Sequence, residues 1–240
     1  MGDRIDVKGR YYRMYPSLAA PTGEAYLDLS WSVAETALVL VDVYGRPETA
    51  GGAPTDLSVD QARVITDELP ALIAACRASG LRIVFVQNRL SDWLHEGSVW
   101  RNMSLRTCGV DVLETWSQPA DVLQYDDRVA PDPGDLVVDK QMYSGFFRTE
   151  LEERLRERGV RNLVFAGFDS RLCLGQTAID AMYRDFEVLV VRDCVATFEF
   201  PETAAARSAD FLAVRTIETN VGVTTTAAEL IAGLGGGGDS

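Results

Sequence analysis

Histidine is almost absent from this sequence of 240 residues, which contains only His95. The Ser-His-Asp and Cys-His mechanisms use a histidine as general base, so either one would need that single residue. A metal site built from several histidines is excluded by the same count. His95 sits in a polar segment, which favours a surface position over a place in a pocket.

Cysteine and long apolar runs are also scarce. The amino end carries charges and tyrosines where an export signal needs an apolar run. The longest apolar stretches, such as ALVLVDV, are far shorter than the roughly 20 residues that cross a bilayer. We therefore predict a soluble, cytoplasmic chain with no membrane partner and with reduced thiols, because no C-x-x-C pair occurs among its four cysteines, Cys76, Cys108, Cys173 and Cys194.

Positive charge is in the minority. The chain has 23 Lys and Arg against 36 Asp and Glu, a formal net charge of -13. The electrostatic field of this negative charge repels phosphate backbones, so a nucleic-acid partner is disfavoured. Local arginines such as Arg89, Arg101 and Arg106 still permit a small anionic substrate.

What the chain does have is a regular alternation of short apolar runs with helical patterns. Predicted strands lie at 37–43, 81–88, 135–140, 162–168 and 186–193, with a last one near VRTIET at 214–219. Predicted helices lie at 58–79, 149–158, 172–184, 202–213 and 226–234. This order predicts an α/β fold of three α/β/α layers around a central, mostly parallel sheet of about six strands. We divide the chain into an amino-terminal arm (1–34), one α/β domain (35–234) and a flexible Gly-rich tail (235–240).

Polar residues follow the predicted strands at one edge of this sheet. Asp42, Asn88 and Lys140 close the first three strands, and Cys173 follows the fourth. Ligands of open parallel sheets bind beyond the carboxyl ends of the strands, so these residues are candidates for one site. The long segment 89–134 holds Trp93, Trp100 and Trp116, which either line a pocket there or pack the segment.

Three of these residues have complementary chemistry. A thiol is only slightly ionised at neutral pH, so a nucleophilic Cys173 needs a base, which Asp42 can supply, and a nearby positive charge, which Lys140 can supply. Cys173 also begins a predicted helix, where the backbone N–H groups of Cys173 and Asp169 are candidates for an oxyanion hole. Each residue alone has a commoner structural explanation, and we expect Cys76, Cys108 and Cys194 to be core residues.

The segments ALVLVDV, DKQMYSGFFRTEL and VFAGFDSRLCLGQTAIDA together resemble the isochorismatase-like cysteine hydrolases. The resemblance runs from about residue 35 to 232 and implies a catalytic Asp42, Lys140 and Cys173. It also implies a cis peptide from Phe168 to Asp169, no metal or other cofactor, and a homo-oligomer, either dimer or tetramer.

The stretch VQNRLSDWLHEGSVWRNMSLRT is similar to that of ureidoacrylate and biuret amidohydrolases. Where the family usually has a small residue and then Thr, this chain has Asp169 and Ser170, followed by Arg171. An acid at this place would oppose thiolate formation unless Arg171 or Lys140 offsets it, or unless the side chain points away. The resemblance and the nearby charges make these residues candidates for substrate binding: Asn88, Tyr143, Arg89, Trp93, Arg101 and Arg171.

The sequence thus predicts a cysteine-dependent amidohydrolase that cleaves a C–N bond of a small ureide, carbamoyl compound or amide. Its intermediate would be a covalent acyl- or carbamoyl-enzyme, and its product ammonia or an amine. Two alternatives stay open: an isochorismatase-type vinyl ether hydrolase, and an inactive family member that acts as a binding protein.

Overall fold

A single sheet forms the centre of the molecule. The structure is a computed structural model that describes residues 3–16, 20–51, 57–89, 98–111 and 124–235. The strands in these residues are β1 (Arg4–Arg13), β2 (Gly23–Ser32), β3 (Thr36–Val41), β4 (Arg82–Asn88), β5 (Leu136–Lys140), β6 (Asn162–Phe168), β7 (Glu187–Ala196) and β8 (Val223–Thr225). Their order across the sheet is β2-β1-β8-β7-β6-β3-β4-β5.

Six of the described strands, β3 to β8, pair with one another in parallel, whereas β1 is antiparallel to both β2 and β8. This confirms the predicted fold class. The amino-terminal hairpin raises the number of described strands from the expected six or so to eight.

Helices cover both faces of the sheet. They are α1 (Val59–Arg63), α2 (Leu69–Ala78), α3 (Val99–Cys108), α4 (Leu151–Glu157), α5 (Cys173–Met182), α6 (Ser208–Asn220) and α7 (Ala227–Gly235), with a π-helical turn joining α1 to α2. Successive residues of the fully buried β3 point to opposite faces. Leu38 and Leu40 enter the core under α2 and α7, whereas Val39 and Val41 enter the core under α4 and α5. Of the described helices, none is long and apolar enough to span a membrane.

The predicted last strand at 214–219 is wrong. These residues belong to α6, and β8 lies beyond them at Val223–Thr225. Ala209, Ala213 and Ile217 are buried at intervals of four, which places them on one face of the helix. Tertiary burial of that face prevails over the β-branched residues that suggested a strand.

The predicted arm, residues 1–34, is where the hairpin of β1 and β2 lies, as far as it is described. Ile5 and Val7 are buried in the core next to α7. Arg10 pairs with the fully buried carboxylate of Glu218 on α6 at 2.6 Å. The described part of the arm therefore packs on its own chain and extends the sheet.

The cysteine predictions hold for two of the three residues expected in the core. Cys76 and Cys194 are completely buried. Cys108 is exposed at the end of α3, so its predicted core position is wrong. None of the residues of α3 is buried. The apolar character of cysteine alone therefore did not predict correctly that Cys108 is exposed.

Candidate active site

The carboxyl ends of neighbouring strands bring the predicted residues together. Asn88 and Lys140 are register partners at the ends of β4 and β5. Asp42 follows β3 with a positive φ of 52°, and its N–H donates to Val86 O at 2.9 Å. Cys173 is the first residue of α5. The strand order therefore brings residues that are distant in the sequence together in one cluster.

Lys140 lies at the centre of this cluster. Its Nζ is 2.9 Å from Asp42 Oδ2 and 3.3 Å from Cys173 Sγ, and it also donates a hydrogen bond to Asn88 Oδ1. The residue is fully buried. An ammonium group has three N–H donors, and these partners account for all three.

Burial and the neighbouring charges have opposite effects on the pKa values of Cys173 and Lys140. Burial and the Asp42 carboxylate raise the pKa of Cys173 to about 12, although the Lys140 ammonium lowers it. Burial also lowers the pKa of Lys140, but the charges of Asp42 and Cys173 outweigh it and leave the pKa raised. The buried site therefore favours the ammonium form of Lys140 and disfavours ionisation of the Cys173 thiol.

One oxygen of Asp42 is available to accept a proton. Within the described residues, Asp42 Oδ1 is buried and has no hydrogen-bond partner, whereas Oδ2 pairs with Lys140. An unpaired buried acceptor is unusual in folded proteins, and general bases are one place where it occurs. This oxygen is therefore placed to act as the base that the sequence predicts.

The turn between β6 and α5 carries the two N–H groups that the sequence predicts as oxyanion-hole donors. The peptide bond from Phe168 to Asp169 is cis, as the resemblance implies. Among the described residues, the N–H groups of Asp169 and Cys173 make no turn, loop or cap hydrogen bond, and the first N–H groups of a helix have no partner within it. Both N–H groups can therefore serve as donors to a developing oxyanion.

The side chain of Asp169 points away from the thiol, which is one of the two possibilities that the sequence left open. Its carboxylate accepts hydrogen bonds from the Arg171 N–H at 2.9 Å, the Phe198 N–H at 3.0 Å and the Thr197 hydroxyl. The Arg171 guanidinium lies over the Phe200 ring, 4.6 Å from its centroid. Arg171 and Asp169 thus meet through a backbone N–H and not through a salt bridge.

The remaining candidates for substrate binding divide into three groups. Asn88 holds Lys140, and Tyr143 stacks edge-on against Trp100 with ring centroids 5.9 Å apart. Arg101 forms an ion pair of 2.5 Å with Asp111, and Arg89 lies 3.6 Å from Asp139 with 59% of its side chain exposed. Trp93, Trp116 and His95 lie outside the described residues.

Tyr44 is a neighbour of the site that the sequence reasoning missed. Burial and the nearby Asp42 and Cys173 raise its pKa well above the usual value, and its hydroxyl forms a hydrogen bond with Asn88. Its ring packs edge-on against Tyr125 with centroids 6.0 Å apart. Its position two residues after Asp42, in the same strand-end turn, was the available signal.

Thr177 is a second missed residue, and it joins the two halves of the site. Its hydroxyl donates to Cys173 O at 2.6 Å and accepts the Gly145 N–H at 2.9 Å. Gly145 follows the turn that carries Tyr143, and a Cβ there would lie 2.9 Å from Val86. The spacing of four residues from Cys173 on one helix face was the sequence signal.

We expect Thr177→Val to lower turnover by about tenfold, because loss of a buried hydroxyl that serves two partners releases the turn that follows Lys140. Thr177→Ser keeps the hydroxyl and should restore most of kcat. Thr216→Val is the matched control, since Thr216 also donates to the carbonyl four residues earlier, at 2.8 Å, but on the exposed face of α6. Steady-state kinetics that give equal rates for Thr177→Val and Thr216→Val would contradict the expectation.

Comparisons with known proteins match most of the chain. The sequence profile of the Isochorismatase domain matches residues 36–229. The ureidoacrylate amidohydrolase RutB of Stutzerimonas stutzeri is 34% identical over 197 residues, which cover 74% of this chain and 77% of that protein. The RutB of Methylorubrum extorquens is 31% identical over 217 residues, which cover 83% and 82%.

Solved structures share the fold. A cysteine hydrolase from Pseudomonas syringae pv. phaseolicola superimposes with a TM-score of 0.71 at 23% identity, covering 85% of this chain and 94% of that one. N-carbamoylsarcosine amidase from Thermoplasma acidophilum gives a TM-score of 0.60 at 25% identity, covering 81% and 98%. The chain belongs to the isochorismatase family. It is a hydrolase of that family, as the resemblance predicted.

Proposed function

We propose that this protein is a cysteine-dependent amidohydrolase that cleaves a C–N bond in a small ureide, carbamoyl compound or amide. The observation that carries the proposal is the buried Lys140 ammonium in contact with both the Asp42 carboxylate and the Cys173 sulfur. The names of the relatives, ureidoacrylate amidohydrolase and N-carbamoylsarcosine amidase, support a substrate of this class.

The reaction begins with a proton transfer. Asp42 Oδ1 takes the thiol proton as Cys173 Sγ attacks the substrate carbonyl carbon. The C=O bond pair moves to oxygen, and the N–H groups of Asp169 and Cys173 donate to the resulting oxyanion. Asp42 then returns the proton to the leaving nitrogen as the C–N bond breaks, which leaves an acyl- or carbamoyl-enzyme.

The second half of the reaction uses the same groups. A water molecule gives a proton to Asp42 and attacks the thioester or thiocarbamate carbon. The C–S bond breaks, the sulfur recovers the proton, and the acid product leaves. Throughout, Lys140 favours the sulfur anion, since its positive charge opposes the effect of burial on the pKa of Cys173.

The test is an ammonia-release screen over ureides, biuret-like compounds and acid amides, with and without prior treatment with iodoacetamide. Cys108 is exposed and would also be alkylated, so the screen uses the Cys108→Ser variant. Cys76 and Cys194 are buried, and substrate protection of Cys173 from alkylation gives a second readout. We expect at least one compound to release ammonia or an amine, and alkylation of Cys173 to stop it.

Two results would contradict the proposal. If no compound gave a signal that depends on Cys173, the amidohydrolase function would fail. Turnover of a vinyl ether that survives alkylation would instead support the ether-hydrolase alternative. We also propose, from the same resemblance, that the protein acts as a cytoplasmic homo-oligomer without a cofactor, which sedimentation and metal analysis of the active protein can check.

A further inference from the structure

The carboxylate of Asp169 is an unusual feature of the turn that holds the oxyanion hole. The residue is only 6% exposed, and its carboxylate oxygens accept the three hydrogen bonds described above. Burial of a carboxylate costs free energy unless donors surround it. Here the donors come from the turn itself and from residues 197 and 198, which follow β7.

The backbone of the same turn is attached to the same neighbours. The Ser170 N–H donates to Ala196 O at 2.9 Å, and the Ser170 hydroxyl donates to Asp210 at 2.9 Å. The Leu172 and Leu174 N–H groups donate to Asp169 O at 3.0 and 3.1 Å. The side chain, the carbonyl and the next residue are thus all held, and the Asp169 N–H keeps one direction.

We propose that the Asp169 carboxylate is a positioning residue that holds its own backbone N–H in the oxyanion hole by anchoring the turn to the end of β7. The inference rests on the proposed function, because it assigns that N–H to the oxyanion. Preorganised donors stabilise a transition state only when their direction is fixed before the reaction. The opposite possibility is that the carboxylate acts through its charge and holds back ionisation of Cys173.

The two possibilities predict opposite signs for Asp169→Asn. The amide has nearly the same size, but its NH2 group cannot accept the hydrogen bonds that the carboxylate oxygen it replaces accepts. If the residue positions the N–H, kcat falls about tenfold to hundredfold, with KM within about twofold, because the oxyanion interaction exists only in the transition state. If the residue acts through charge, kcat rises and the alkylation rate of Cys173 increases at a given pH.

Thr197→Val removes one of the three donors and leaves Asp169 intact, so it tests the same hydrogen bonds by changing the donor instead of the carboxylate. We expect a smaller fall in kcat, of about threefold to tenfold, and recovery in Thr197→Ser. Asp193→Asn is the matched control, since that carboxylate also accepts a backbone N–H, from Ala227 at 2.9 Å, but lies outside the proposed catalytic machinery. It should leave kcat unchanged even where it lowers the melting temperature.

Backbone hydrogen exchange supplies a readout that needs no substrate. In Asp169→Asn, exchange at residues 169–174 should rise by about tenfold or more, whereas Asp193→Asn should leave it unchanged. An unchanged exchange rate, an unchanged kcat or a shift of the pH profile of Cys173 alkylation to lower pH would overturn the inference. Failure of the unsubstituted chain to turn over any amide would overturn the proposed function instead, and the exchange experiment keeps the two failures distinct.

Discussion

Cys173→Ser is expected to lower kcat by roughly 10³- to 10⁶-fold, as removal of the covalent nucleophile does in serine proteases. A serine hydroxyl is much less acidic than a thiol, so the Asp42 carboxylate is too weak a base to activate it. The Lys140 ammonium, 3.3 Å from the sulfur, favours an anion at this position. This stabilisation is too small to ionise a serine hydroxyl at neutral pH. Steady-state ammonia release on the best substrate of the screen measures the loss.

The Cys173→Ser variant should keep its fold, because serine is slightly smaller than cysteine and can keep the hydrogen bond to Lys140. Cys108→Ser is the control for cysteine loss in general and should retain full turnover, since Cys108 is exposed at the end of α3. If Cys173→Ser retained more than about one per cent of kcat, the covalent mechanism would be wrong.

The central sheet could be predicted from the sequence because its strands are buried on both faces. β6 was expected at 162–168 and is found at Asn162–Phe168 with every residue buried. Such strands are continuous apolar runs between turn signals, and local composition suffices to find them. The stretch 214–219 also contains β-branched residues, but its helical form depends on packing against other elements, which composition does not reveal.

The cluster around Lys140 was predictable for a topological reason. Parallel strands end at one edge of a sheet, so Asp42, Asn88 and Lys140 had to lie near one another once their strands were identified. The direction of the Asp169 side chain was not predictable, because its partners Thr197 and Phe198 lie almost 30 residues further along the chain. Charge at one position does not show which distant donors will surround it.

Arg101 illustrates the same limit. Its position in the segment between β4 and β5 made it a candidate for binding a substrate carboxylate. Within α3 and the residues after it, Asp111 lies 2.5 Å from its guanidinium, and both side chains are largely buried. A nearby carboxylate of the same chain competes with any substrate for the arginine, and only the fold shows whether that carboxylate is within reach.

Lys140→Met is expected to combine loss of activity with loss of stability. Methionine fills a similar volume but leaves the Asp42 carboxylate, whose side chain is 9% exposed, without its positive partner. Removal of one member of a buried ion pair costs about 3–5 kcal/mol of unfolding free energy. Turnover should fall roughly 10²- to 10⁴-fold, because the charge that lowers the pKa of Cys173 is gone. Denaturant unfolding and steady-state kinetics measure the two effects.

The stability effect should depend on pH in a defined direction. Burial lowers the pKa of Lys140, but Asp42 and Cys173 raise it more, so folding favours the ammonium form. The contribution of the ion pair is therefore fully present below the pKa of an ordinary lysine and is lost as the pH rises through the raised value. The difference between Lys140→Met and the unsubstituted protein should be constant near pH 7 and shrink only in strongly alkaline solution.

A double variant separates the two effects of Lys140→Met. Asp42→Asn with Lys140→Met removes both charges, so no unpaired buried ion remains and a large part of the lost stability should return. Activity should not return, because the proposed base and the charge near the sulfur are both absent. Arg154→Met is the control for an exposed pair, since Arg154 and Glu150 have 36% and 55% of their side chains exposed, and a loss of at most about 1 kcal/mol is expected from that contact. If the double variant recovered turnover along with stability, Asp42 and Lys140 would be structural residues and not parts of the catalytic site.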